Sequence, residues 1–277
     1  MSDKMKNVLL WIVAVVFTMS LVIYQRATGP TYPVSGEFEF GEVKGEFKFL
    51  RSHDTEKNAP VQVKISDKEV SGQLSYKRYK SYDEWTTVEM EKNDEGLISR
   101  LPFLPAAGKM MYNVVLFKGG KSYPVNDEPI VLRFKGAVPL AVLTPHIFFM
   151  FFSLLFGVRA GLEAIFRKKD TLFQVGVALF TVILGGLILG PIVQKFAFDA
   201  YWTGWPFGTD LTDNKTAVIF IFLLIAFLIL RKKPENKTWP IIAMIVMIIV
   251  YVIPHSVLGS EIDYTKQDAE MVQPNDN

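Results

Sequence analysis

Residues 130–166 read IVLRFKGAVPLAVLTPHIFFMFFSLLFGVRAGLEAIF, and the change of pattern inside this stretch decides the fold. Up to Phe134 the chain has the short, turn-bounded runs of β-strands. Past Lys135-Gly136 it becomes almost continuously apolar as far as Phe166. A run of that length exceeds the ~20 residues that a helix needs to cross a bilayer core of ~30 Å. The stretch is therefore the border between a β domain and a membrane domain.

Upstream of the border, alternation of apolar and polar positions marks residues 38–40, 45–50, 61–65, 72–79, 86–90, 97–101, 111–117 and 130–134 as strands. Asn93-Asp94-Glu95-Gly96, Gly119-Gly120 and Asn126-Asp127-Glu128-Pro129 supply the turns. This density of strands in residues 30–136 predicts an immunoglobulin-like or fibronectin-like β-sandwich, with Trp85 as its buried tryptophan. His53, within the polar Arg51-Ser52-His53-Asp54, reads as an ordinary loop residue.

Residues 1–29 begin with Lys4 and Lys6 and continue into an apolar run over 8–24. A secretory signal has the same layout. Gln25-Arg26-Ala27 follows instead of an Ala-x-Ala cleavage site, so the segment reads as an uncleaved anchor. Either reading exports the β domain.

Downstream, hydropathy marks spans at about 140–166, 172–193, 216–230 and 240–258, a four-helix domain over 137–259 and five spans in all. Gly185, Gly186 and Gly190 suit close helix packing. Arg167-Lys168-Lys169 and Arg231-Lys232-Lys233, with Lys237, place two loops in the cytoplasm by the positive-inside rule. The β-sandwich, the 196–215 loop and the polar, acidic tail 260–277 then share the outer face of a bacterial inner membrane.

The whole chain of 277 residues carries a net charge of only +2, which gives no field for nucleic acid. It has no cysteine, which excludes disulfides, iron–sulfur ligation, thiol catalysis and covalent haem attachment. No Gly-x-Ser-x-Gly, phosphate loop or His-Glu-x-x-His occurs. Five spans without an inverted repeat are awkward for a carrier. The composition favours a non-catalytic subunit, assembly factor or receptor that meets the lipid bilayer and an envelope protein partner.

Chemistry concentrates on one side. The 198–215 segment, FDAYWTGWPFGTDLTDNK, sets Tyr201, Trp202, Trp205 and Phe207 among Asp199, Asp210 and Asp213. His146 and His255 each follow a proline near the outer ends of two spans. Together they suggest a shared site. His146 and His255 would be axial ligands of a b-type haem. Alternatively, His146 and His255 with one or two of Asp210, Asp213, Glu261 and Asp263 would hold a transition metal. A quinone or lipid head group is a third ligand class, with histidine as hydrogen-bond donor and Trp202 and Trp205 as walls of the cofactor site.

The plainer reading is a proline–histidine helix end, an aromatic belt and a cap at Thr212-Asp213-Asn214. Gly204 and Gly208 point to a tightly folded lid rather than a loose linker. Arg159 and Glu163, four apart on one helix face, are an ionisable pair and so a functional candidate, but read more simply as an intrahelical or inter-helical salt bridge.

Overall fold

A computed structural model describes residues 2–167, 169–254 and 259–267. The chain divides into two compact units, one of Met1–Pro30 with Val138–Gly259 and one of Thr31–Ala137 with Ser260–Asn277. Each is discontinuous in sequence.

The second unit contains two sheets. One has the order β1 (Val34–Phe40), β2 (Val43–Phe49), β4 (Ala59–Ile65), β8 (Gly96–Leu101), β7 (Glu91–Asn93). The other has the order β3 (Ser52–Asp54), β11 (Ile130–Lys135), β9 (Lys109–Lys118), β5 (Ser71–Arg78), β6 (Thr86–Glu89), with β10 (Lys121–Pro124) also on β9. All pairings are antiparallel except β3 with β11. Gly119 and Gly120, at φ 58° and 75°, close the β9–β10 hairpin with the left-handed turn that two-residue connections favour.

Alternation is what makes these strands bury one face. β4 buries Ala59, Val61, Val63 and Ile65, and β9 buries Met110, Tyr112, Val114 and Leu116. These side chains join one core drawn from both sheets, each fully buried aliphatic contributing about 1.5–3 kcal/mol.

Trp85 is not in that core. It lies just before β6, 39% exposed, with the Lys77 ammonium 5.6 Å from its ring centroid. The central aromatic positions belong to Phe49, Tyr112 and Phe134, each fully buried. Turn-proximal placement, rather than strand alternation, governs Trp85. His53 is in β3, opposite Phe134 in the parallel pair, and not in a loop.

The first unit is helical. α1 (Asp3–Thr28) begins where the Ser2 hydroxyl accepts from the Met5 amide. α2 (Leu140–Phe166) follows the β unit, and α3 (Thr171–Val182) runs through a π-helical turn, Ile183–Leu189, into α4 (Gly190–Phe198). α5 (Leu211–Lys232) and α6 (Thr238–Val252) complete it.

Among the described residues, four helices are by length and composition long and apolar enough to cross a membrane: α1, α2, the continuous α3–α4 and α5. α6 has 15 residues, about 22 Å of helix. The remainder of the span expected over 240–258 includes residues 255–258, which lie outside the described residues.

Small residues set the packing. A Cβ at Gly185 would stand 2.8 Å from the Phe149 Cβ, and one at Gly186 would stand 2.6 Å from the Thr216 Cγ2. The α3–α4 helix thus meets α2 and α5 at the glycines. Further along α2, Gly157 and Gly161 receive Met247 and Met244 of α6. Such close approach replaces the hydrophobic driving force that helices lack in lipid.

Candidate functional site

The loop between α4 and α5 is fixed by the two acids at the start of α5. α4 ends at Asp199, which adopts φ 61° and pairs with Lys195 at 2.6 Å. Asp210 is the N-cap of α5, its Oδ1 accepting from the Thr212 amide at 2.8 Å. Its other oxygen accepts from the Thr203 hydroxyl at 3.2 Å.

Asp213, one turn on, reaches back into the loop. Its Oδ2 accepts from the amides of Thr203 and Gly204 at 2.6 and 3.0 Å. Gln194 of α4 donates to the Thr203 hydroxyl at 2.7 Å, and the Trp205 amide donates to Asn214 Oδ1, also at 2.7 Å. Thr203 is thus the hub joining α4, the loop and α5.

Glycine is required where this knot is tightest, since a Cβ on Gly204 would sit 2.6 Å from the Asp213 Cβ. The cap falls at Asp210, three residues before Asp213, and the acid at 213 organises the loop instead. Lys215, also buried, donates to the carbonyls of Ile253 and Pro254 at 2.9 and 3.0 Å, satisfying the free end of α6.

The aromatics are on the outside of the knot. Tyr201, Trp205 and Phe207 are 60%, 77% and 83% exposed. Trp202 is half-buried, and its Nε1 donates to the Trp205 carbonyl at 3.2 Å.

His146 of α2 is held by the π turn. The Gly190 amide donates to the Gly185 carbonyl, and His146 Nδ1 donates to that same carbonyl at 2.8 Å. A carbonyl only accepts, so Nδ1 carries the proton and Nε2 is the basic nitrogen. His255 lies outside the described residues. Among the described residues, no group of three or more His, Asp or Glu side chains is arranged to hold a metal ion.

At the opposite end of the helical unit, charges are buried against one another, and Glu163 Oε1 also accepts from the amides of Lys169 and Asp170 at 3.2 and 3.4 Å. Arg159 and Glu163 are both fully buried, with Arg159 Nη1 at 2.7 Å from Glu163 Oε2. Arg167 approaches that same oxygen at 3.2 Å. Asn7 Oδ1 of α1 accepts from both guanidinium groups at 2.6 Å. The Arg159 guanidinium also lies 5.2 Å from the Trp11 ring centroid. The intrahelical pair read from the sequence is therefore the middle of a network that ties α1 to α2.

Glu261 takes a different partner from any histidine, since its carboxylate accepts from Lys80 and Lys109 of the β unit. Neither lysine carries a motif, and the contacts join residues 181 and 152 positions apart, so no local signal marks them. Asp263 turns inward on its own segment, accepting from the Thr265 hydroxyl at 2.5 Å.

The chain matches no protein-family model, no curated protein and no solved structure.

Proposed function

We propose that this chain is an integral protein of a bacterial inner membrane that binds a partner protein of the cell envelope and performs no catalysis by itself. The observation that carries this reading is the loop at 199–210. Two buried acids and a threonine hold it rigid, while Tyr201, Trp205 and Phe207 face outward. Exposed aromatics on a fixed frame suit recognition, because little conformational entropy is lost when they are covered.

In this reading there are five spans, with residues 167–169 and 231–237 in the cytoplasm and the β unit, the 196–215 loop and the tail outside. The strand orders support an immunoglobulin-like sandwich. β4, β8 and β7 correspond to one face, β11, β9, β5 and β6 to the other, and the β2–β3 segment shares its pairing between both sheets.

Single cysteines are free to introduce into this cysteine-free chain. Position 209 is expected to label from outside intact cells and position 235 only after permeabilisation. The reverse pattern overturns the orientation. A photo-crosslinking residue at 207 is expected to form one protein adduct that Asp213→Ala abolishes, whereas adducts with lipid alone would reassign the loop to the membrane surface.

A second reading has one observation in its favour. A ring Nδ1–H donated to a backbone carbonyl, as in His146, is the usual support for an imidazole whose Nε2 binds a metal. Haem or a transition metal on His146 and His255 would appear as a Soret band or a stoichiometric metal content in the purified protein.

A further inference from the structure

The segment that follows α6 belongs to the β unit, and the manner of its binding resembles a ligand in a site. Glu261 carries its carboxylate to Lys80 and Lys109. The Ile262 amide donates to the Ala107 carbonyl at 3.2 Å, and the Thr265 amide donates to the Lys80 carbonyl at 3.0 Å. Tyr264 is 5% exposed, with the Arg78 guanidinium 4.5 Å from its ring centroid. Gly108 leaves the room for this ring, since a Cβ there would stand 2.8 Å from the Tyr264 hydroxyl.

Three features of the receiving surface exceed what simple packing needs. Ala107 and Lys80 adopt φ 67° and 51°, left-handed conformations that are strained for a non-glycine residue. They are the two residues whose carbonyls meet the segment. Strain held at a receiving carbonyl is a mark of a built site.

Lys109 also stands directly opposite Arg133 in the β9–β11 ladder. Like charges so placed repel, and an incoming carboxylate relieves the repulsion. Burial together with Arg133 and Lys80 draws the Lys109 ammonium below its ordinary value, against the pull of Glu261.

Finally, the fit is incomplete. The buried Tyr264 hydroxyl has no hydrogen-bond partner among the described residues. The ring is recognised and the hydroxyl is not.

We infer that Arg78, Lys80, Ala107 and Lys109 form a peptide-binding site for a segment bearing a carboxylate and, three residues later, an aromatic ring at the start of a helical turn, which residues 261–265 fill in cis. A partner segment of that chemistry would compete with the chain's own tail. Phenylalanine at the aromatic position would serve at least as well as tyrosine. The inference goes beyond the function proposed above and holds on either side of a membrane.

The test uses the protein in detergent, as the full chain and as a chain ending at residue 259. A fluorescent peptide of residues 259–267 is titrated against both by anisotropy. The shortened chain is expected to bind it, and the full chain to bind at least tenfold more weakly because the site is filled. Lys80→Glu or Lys109→Glu in the shortened chain is expected to weaken binding about tenfold or more, as lost charge-assisted hydrogen bonds do. The peptide carrying Tyr264→Phe is expected to bind equally or more tightly.

A shortened chain that keeps its circular dichroism and melting transition but ignores the peptide overturns the proposal. So does equal binding of a scrambled peptide, or equal binding by the full chain. Should shortening prevent folding, Glu261→Lys in the full chain frees the tail without removing it, and the same titration decides.

Discussion

The two ends of the helical unit bury charge in different ways. At one end Arg159 and Arg167 meet the carboxylate of Glu163, ion against ion, with Asn7 and Asp3 of α1 completing the network and two amides on the second Glu163 oxygen. At the other, Asp213 is satisfied by amides of Thr203 and Gly204, and Lys215 by carbonyls of Ile253 and Pro254. There each ion faces backbone. The first arrangement fixes helix to helix and the second fixes loop to helix. A charge paired with another charge is costly to leave alone, because the survivor remains buried. A charge that meets backbone groups leaves neutral survivors, so its loss is milder and more local.

The largest effect should come from orphaning Arg159. Glu163→Ala is expected to cost about 3–5 kcal/mol in reversible unfolding in detergent. Replacing Arg159 and Glu163 together with leucine should recover most of that loss. A single substitution as mild as the double one would break the distinction between the two ends.

Next in size is Asp213→Ala, expected to cost about 1.5–3 kcal/mol as bonds to a charged acceptor do. Its signature should be local. The Thr203 and Gly204 amides are expected to exchange with solvent faster while amides within α2 keep their protection. Uniform loss of protection would show that the loop and bundle unfold as one.

The smallest effect concerns Glu261, an ion pair on the β unit that lies between the two extremes. Burial pushes its carboxyl upward, but Lys109 and Lys80 more than offset this and hold it below its ordinary value of 4.5. Asp263 also faces Lys80, and Arg133 faces Lys109. A depressed carboxyl stabilises the attached tail above the unfolded value and ceases to do so as pH falls through the folded one. Protection of the Ile262 and Thr265 amides is therefore expected to hold from neutrality to about pH 4.5 and to fall below it. Constant protection down to lower pH would show that Tyr264, not Glu261, holds the tail.

The long strands and the apolar helices were legible because their signals are local. Met110, Tyr112, Val114 and Leu116 alternate within β9, and the run from Leu140 to Phe166 announces its own length. β3 was not legible: Ser52, His53 and Asp54 are polar, and their strand exists only through parallel pairing with residues 133–135. Trp85 misled because size predicts burial on average, whereas its place beside a turn leaves it half outside. In the loop, the glycines foretold tight folding, but the division of labour between Asp210 and Asp213 depends on where Thr203 arrives. No local pattern specifies that. The π turn that aims the Gly185 carbonyl at His146 is equally a product of packing.

The link between Asn7, Trp11 and Arg159 has a consequence in time. α1 leaves the ribosome before α2, and Arg159 follows only after residues 31–137 of the β unit have been made. At about 5–20 residues per second, the 111 residues between Thr28 and Leu140 delay α2 by roughly 6–22 s. During that interval α1 stands without its neighbour. When α2 emerges, the Asn7 side chain and the Trp11 ring have already been made, so Arg159 is the last-made member of this three-way contact.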